Sequence, residues 1–365
     1  MEPRGRRKLD ELEKLDGAFM ETMKQQEEVD PSKIMQVGLG FMGSKSLLAA
    51  TNMGLFTLLA ERGMSGTEIQ SRLGLHERGL YDFLDTLVAL GFLTRDGLRE
   101  TSVYRNAADT DLFLDKKKPS YMGGILEMCN NRIFRFWADL EEGLKTGKPQ
   151  NEVKTGEKPV FEMLYSDSAR MREFIMAMGG IQMGNFAKFA KEFDFSKYHT
   201  HCDVGGSGGH LSIQIALHNP HMKCTSFDLP VVTPVAREII ESFGMADKVT
   251  ISEGDFFADT LPNADVITMG NILHDWGTSD KKMLVKKAFD SLSDGGSFVV
   301  IENIIDDNRS QNAFGLLMSL NMLMETDEGY DFSGADFDAM AKEAGFKETR
   351  VIPLTGPASA AVAVK

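Results

Sequence analysis

The sequence predicts an α/β protein in two parts: a mostly helical region over residues 1–195 and a mostly parallel sheet with helices on both faces over 196–365. Three observations carry this expectation. Before residue 195 apolar residues recur at helical spacing, broken by one short hairpin pattern. After His199 short apolar segments alternate with helical ones, the pattern of a parallel sheet. The first of those segments ends in a glycine cluster, Asp203-Val204-Gly205-Gly206-Ser207-Gly208-Gly209, where a strand hands over to a helix.

Taken in order, Ile34–Leu59 reads as helix punctuated by Gly54. Ser65–Leu73, with Thr67 as its expected N-cap, and Glu77–Leu90 follow as two short helices. Gly91 stops the second, and Phe92–Thr94 and Leu98–Thr101 read as a hairpin about Asp96-Gly97. Helix, turn, helix and hairpin is a winged-helix layout, which raises DNA binding as a possibility. Its would-be recognition helix sets Glu77, Asp82 and Asp85 against Arg78 alone, so phosphate would be repelled and a dimerising use is favoured. Ser120–Ala190 reads as helical, with a loop from Gly147 to Pro159 and helical pattern resuming over Phe161–Tyr165 and Met171–Phe193. Its density of Met, Phe and Trp suits a core, a dimer interface or an apolar acceptor pocket. The expected parallel strands are His201–Val204, Cys224–Phe227, Val249–Ser252, Ala264–Met269 and Ser297–Ile301. Glu348–Leu354 and Ala360–Val364, joined across Thr355-Gly356-Pro357, predict an antiparallel C-terminal edge pair.

Composition narrows the function. The 365 residues carry a formal charge of −14, which argues against a nucleic-acid partner. No apolar run reaches the roughly 18 residues that span a bilayer, so no membrane partner is expected. Cys129, Cys202 and Cys224 are odd in number and lack zinc-finger spacing, so neither a disulfide framework nor a cysteine metal site is expected, and no metal is predicted. A reducing cytoplasm is the expected location. The basic cluster Arg4, Arg6, Arg7 and Lys8 runs straight into Asp10, Glu11 and Glu13 without an apolar segment, so it reads as a solvated terminus and not a leader.

The chemistry-bearing residues fall at successive strand ends. Asp203 leads the glycine cluster, whose spacing is tighter than the dinucleotide pattern G-x-G-x-x-G. That spacing disfavours a nicotinamide-dependent dehydrogenase. Asp228 ends the second strand, where an acid accepts hydrogen bonds from ribose hydroxyls. Asp255 follows the third strand beside Phe256 and Phe257, an acid for an exocyclic amine and a ring to stack on adenine. His274 follows the fourth strand in Asn271-Ile272-Leu273-His274-Asp275-Trp276. Its ordinary pKa of about 6.5 suits a general base, with activity lost at low pH as the imidazole protonates. Glu302, ending the fifth strand, is placed to orient that ring.

Together these motifs resemble the plant-type small-molecule O-methyltransferases, the group of the caffeic acid, acetylserotonin and hydroxyneurosporene enzymes. The resemblance spans most of the chain. It includes Trp137–Pro149, Phe227-Asp228-Leu229-Pro230, Gly254-Asp255-Phe256-Phe257, Leu273-His274-Asp275-Trp276 and Leu320-Asn321-Met322-Leu323. It implies a Rossmann-like methyltransferase domain behind a winged-helix dimerisation domain, S-adenosyl-methionine as cofactor, a small-molecule methyl acceptor and a homodimer. Asp203, Gly205, Gly206, Gly208, Asp228, Leu229, Asp255, Phe256 and Met269 would then bind the cofactor. His274, Glu302 and Asp331 would be catalytic, and Met178, Trp137, Asn271, Trp276 and Met322 would line the acceptor pocket.

Two positions depart from the family pattern. Where the family has G-x-E-R-T, this chain has Gly329-Tyr330-Asp331-Phe332-Ser333, so Asp331, Glu325 or Glu328 is left to do the work of the second acid. Gly270 stands where a Lys is common. A hydroxyl acceptor needs the base, whereas a thioether or thiol acceptor would not. A winged-helix regulator and a non-catalytic ligand binder are the remaining readings. The acidic helix argues against the first and the intact His274 against the second.

Overall fold

The computed structural model describes residues 29–156 and 165–365. The N-terminal basic cluster, the end of the 147–159 loop and most of Phe161–Tyr165 lie outside the described residues. The chain divides into two compact units between Asp111 and Leu112.

In the first unit, helices Ser32–Gly38, Gly40–Asn52, Leu55–Glu61, Gly66–Leu73 and Glu77–Ala89 accompany a three-stranded sheet. The sheet holds β1 (Met64–Ser65), β2 (Leu93–Asp96) and β3 (Val103–Asn106), in the order β1-β3-β2. Gly54, at φ +75°, makes the break between two helices. Ser65, not Thr67, caps the next helix: its hydroxyl accepts from Glu68 N and the Glu68 carboxylate accepts from Ser65 N. The second hairpin strand is Val103–Asn106 and not Leu98–Thr101. The Thr101 hydroxyl bonds the Leu98 carbonyl and winds that stretch into a 3₁₀ turn. Asp85 is not a free surface acid, because it pairs with Arg95 at 2.6 Å and accepts from the Tyr104 hydroxyl at 2.8 Å. Val29, Ile34 and Val37 leave a run of large apolar side chains exposed.

The second unit is built on a seven-stranded sheet. Its strands are β4 (Thr200–Val204), β5 (Lys223–Asp228), β6 (Val249–Glu253), β7 (Ala264–Gly270), β8 (Leu292–Glu302), β9 (Glu348–Pro353) and β10 (Ser359–Val364). They lie in the order β6-β5-β4-β7-β8-β10-β9. The first five are parallel, and β10 and β9 close one edge antiparallel, as the sequence predicts. Both faces are buried. Along β8, Val299 and Ile301 join one apolar cluster while Phe298 and Val300 join the other, the alternation a pleated strand imposes. Truncating Ile301 to Ala would cost about 2–5 kcal/mol, because nothing in so tight a layer collapses into the gap.

The helices after residue 112 belong to this unit, so the expected boundary at 195 moves forward to 111. The cause is packing. The helix Ser168–Glu192 places Ile175, Phe186 and Phe189 in one cluster with Leu211 and Ile213 of the helix His210–His218.

Candidate active site

The carboxyl ends of the parallel strands share one rim, and the motifs collect there. After β4 the chain turns through Gly205, Gly206, Ser207, Gly208 and Gly209 before the helix begins at His210. Gly206 has no room for a side chain, since a Cβ there would lie 2.3 Å from Ser226 Oγ. Ser207 takes φ +50°, which aims its N–H at Asp228 Oδ2 at 2.7 Å. Leu229 N–H donates to the other oxygen, also at 2.7 Å. Asp228 is therefore pinned by two backbone donors. Burial favours its protonated form and the two donors oppose that. Asp255 accepts from Phe257 N at 2.8 Å, and the Lys287 ammonium donates to the carbonyls of Phe256 and Phe257.

Asp203 is deeper than its motif suggests. Its Oδ1 accepts from Thr268 Oγ1 at 2.7 Å, and that oxygen accepts in turn from His201 Nε2 at 2.9 Å. Burial pushes Asp203 up to about 7 and His201 down to about 3. Met269 is fully buried in the core, so its side chain faces the sheet's packing and not the rim. Trp276 stands edge-on to Phe257 at 4.6 Å and to Phe256 at 6.1 Å. That groups it with the expected cofactor side. Its Nε1 and the Asn271 Oδ1 are buried without a hydrogen-bond partner among the described residues. Asn271 takes φ +55° directly after β7. Trp137 Nε1 donates to Asn321 Oδ1 at 2.9 Å, beside buried Met322, while Met178 is half-buried on the helix Ser168–Glu192.

His274 sits in the 3₁₀ turn Leu273–Asp275 and is 6% exposed. Its Nδ1 lies 3.6 Å from Glu302 Oε2 and 3.5 Å from Asp331 Oδ1, and its Nε2 lies 3.5 Å from Asp275 Oδ1. Glu302 also holds the turn from behind, because its Oε1 accepts from the N–H groups of Ile272 and His274. Asp331, not Glu325 or Glu328, is the acid that reaches the ring. Glu325 is tied to Arg132 at 2.6 Å, and Glu328 is exposed against Gly277. Gly329 allows this approach: a Cβ there would fall 2.7 Å from the His274 carbonyl oxygen.

The electrostatics of this cluster differ from an ordinary histidine. Burial favours the neutral ring, but Glu302, Asp275 and Asp331 outweigh it and push His274 up to about 10. Burial in turn pushes Glu302 up to about 7 and Asp275 to about 6, with the imidazolium pulling the other way.

Sequence reasoning missed three groups here. His201 looked like a strand residue, and only the pairing of β4 with β7 brings it to Thr268. Tyr165 is half-buried against the core, and burial, with the charges of Asp228 and Asp275 acting the same way, raises its pKa. Lys281 is wholly buried on the helix Thr278–Ser291, within reach of the His274 cluster.

The comparisons with known proteins agree with this geometry. An O-methyltransferase domain matches residues 137–347, and an O-methyltransferase dimerisation domain matches residues 35–116. The tetracenomycin polyketide synthesis 8-O-methyl transferase TcmO of Streptomyces glaucescens is 37% identical over 335 residues, 92% of this chain and 97% of the relative. The N,N-dimethyltransferase OxyT of Streptomyces rimosus is 29% identical over 86% of this chain and 90% of its own. Among solved structures, human N-acetylserotonin methyltransferase in complex with SAM superposes with a TM-score of 0.85 at 27% identity, covering 92% of this chain and 98% of that one. A family match across more than half the residues, over a sheet whose rim carries the expected acids, places this chain in the S-adenosyl-methionine-dependent O-methyltransferase family.

Proposed function

We propose that this protein moves a methyl group from S-adenosyl-methionine to a hydroxyl on a small aromatic molecule, with His274 as general base. The observation that carries the reading is a buried imidazole ringed by three carboxylates at 3.5–3.6 Å, on the rim where the ligand-binding acids converge. The donor set on that rim fits the cofactor. Asp228 retains acceptor capacity beyond its two backbone bonds, and the buried Asn271 Oδ1 and Trp276 Nε1 have no partner among the described residues.

When bound, S-adenosyl-methionine supplies an electrophilic methyl on a sulfonium that leaves as a neutral thioether. Asp228 would hold the ribose hydroxyls and Asp255 the adenine amine, with Phe256 supplying a ring for the base. Gly205, Gly206 and Gly208, next to Asp203 and Leu229, would leave room for the methionine part. Met269 contributes through the core behind that loop. Met178, Trp137, Asn271 and Met322 line the acceptor side, and Trp276 closes the cofactor side.

His274 Nδ1 keeps its proton toward Glu302 and Asp331, which leaves Nε2 to take the proton of the acceptor hydroxyl. A phenol's ordinary pKa is about 10, and the acids raise the imidazole to about 10, so the two are closely matched. Such a base contributes on the order of 10²–10⁴ in rate.

The 37% identity with TcmO supports a polyketide-type hydroxyl as the acceptor. OxyT marks an amine as the competing acceptor. The dimerisation-domain match and the exposed apolar run Ile34–Val37 support a homodimer, which light scattering would report as about twice the 40.4 kDa chain mass. Free Cys129, Cys202 and Cys224 suit a reducing cytoplasm. Among the described residues no helix is long and apolar enough to cross a membrane.

The test is incubation with S-adenosyl-methionine and a panel of polycyclic phenols and aryl amines, read by mass spectrometry. A phenol gaining one methyl, with the gain abolished in His274→Ala, supports the proposal. Methylation confined to amines and indifferent to His274→Ala contradicts it.

A further inference from the structure

We propose that Lys281 is a positioning residue for this reaction: its buried ammonium supplies the counter-charge that keeps the carboxylates around His274 ionised and aimed at its ring. The inference rests on the reading of His274 as the base. Lys281 lies on the helix Thr278–Ser291, whose neighbouring Ser279, Lys282 and Lys286 are exposed, yet Lys281 itself is 0% exposed. Its Nζ donates to the Trp276 carbonyl at 2.5 Å and stands 3.4 Å from the centroid of the Tyr330 ring. A second ring, Phe332, lies 5.8 Å away. The Tyr330 hydroxyl shares a 2.8 Å hydrogen bond with Thr278 Oγ1, which fixes that ring against the lysine's own helix. The ammonium is thus wedged between the turn that carries His274 and the segment that carries Asp331.

A lysine buried this deeply is costly to keep charged unless anions repay the lost hydration. Burial pushes it down to about 8, while Glu302, Asp331 and Asp275 hold it up. It is therefore an ammonium at neutral pH. The negative charges that act on it come from three elements: Glu302 from β8, Asp331 next to the Tyr330 and Phe332 rings that flank the ammonium, and Asp275 next to the Trp276 carbonyl it bonds. The same three acids face His274, and the nearby Glu325 is paired with Arg132, which it shares with Glu152. Three carboxylates stand against one imidazolium and one ammonium. Removing the ammonium removes a positive charge from beside the cluster, so the His274 titration moves to higher pH. His274 then spends less time as the neutral base.

A purely structural role would run through the bond to the Trp276 carbonyl, and the two roles separate experimentally. Lys281→Gln keeps a donor for that carbonyl and loses the charge; Lys281→Arg keeps both. The full-length protein is labelled for imidazole NMR, with His274 assigned by its loss in His274→Ala. In Lys281→Gln the neutral fraction of His274 at pH 9 is expected to fall about tenfold, a shift of about one pH unit. Turnover at neutral pH should fall by a similar factor, with the KM for S-adenosyl-methionine within twofold. Lys281→Arg should restore both readouts. A folded Lys281→Gln with an unmoved His274 titration overturns the proposal, as does full restoration of titration and turnover by Gln. If Lys281→Gln does not fold, Lys281→Met, which keeps the aliphatic stem, replaces it under the same criteria. A shifted titration without any change in turnover leaves Lys281 as a counter-charge only, overturns its role in the reaction and rejects His274 as the base.

Discussion

The carboxylates of Asp228 and Asp255 and those of Glu302 and Asp331 stand on one rim of one sheet, yet they are held in opposite ways. Asp228 and Asp255 accept from backbone N–H groups at 2.7–2.8 Å, which fixes their orientation. Glu302 is tied to backbone through Oε1 alone; its Oε2 and both oxygens of Asp331 are buried with no hydrogen-bond partner among the described residues, and Glu302 Oε2 and Asp331 Oδ1 face an imidazole at 3.5–3.6 Å. Backbone donors make an acid a stable acceptor for a ligand's hydroxyls. Carboxylate oxygens that face only a titrating ring instead raise the basicity of that ring. The first arrangement suits binding and the second suits moving a proton.

Substitutions should therefore split by region. The largest effect is expected from His274→Ala, which should lower turnover on a hydroxyl acceptor by about 10²–10⁴ while calorimetry finds S-adenosyl-methionine affinity within twofold. Equal losses in binding and turnover would erase the distinction between the regions. Asp228→Ala should do the reverse. Cofactor affinity should weaken by about 1–3 kcal/mol, with most turnover recovered at saturating cofactor. An unchanged affinity would remove Asp228 from the cofactor site. Glu302→Gln should lower the high-pH plateau of turnover by up to about tenfold, because the less basic imidazole draws the acceptor proton less strongly and has lost an orienting carboxylate.

The smallest effect concerns stability. Folding raises the pKa of His274, Glu302 and Asp275 above their ordinary values. The contribution of each is full below its unfolded pKa and is lost as pH rises through the folded one. The three windows together run from about 4 to about 10. The thermal midpoint should fall as pH rises from 6 to 9, by about 2–4 °C for each kcal/mol lost. Glu302→Gln should flatten that fall. A midpoint that climbs with pH, with a slope unchanged by Glu302→Gln, would contradict the cluster's charge state.

Much of this was legible in the sequence, for identifiable reasons. Strand periodicity placed β4, β5, β6 and β7 to within a residue or two, because strands buried on both faces read as short apolar runs between turn signals. The acids at the strand ends were legible because the topology forces them to one rim. Lys281 was not. A lysine among Lys282, Lys286 and Lys287 reads as solvated, and only the fold sets it under Tyr330. The choice among Asp331, Glu325 and Glu328 was likewise open in one dimension, since it turns on Gly329 meeting the backbone of His274. The relay from His201 through Thr268 to Asp203 joins residues about 65 apart, a separation no local pattern encodes. The domain boundary moved because apolar helices give no sign of which core they join.

The measurement that bears most directly on the central claim is the pH dependence of kcat for a hydroxyl acceptor, run in parallel on the native protein and Glu302→Gln. Ionisation of the acceptor itself is common to both, so any difference reports the protein's base. The account predicts a native acid limb well above pH 6.5, rising toward about 10, and a limb about one unit lower in Glu302→Gln, where a carboxylate has been removed from His274 Nδ1. A native limb at or below 6.5, unmoved by Glu302→Gln, would contradict it.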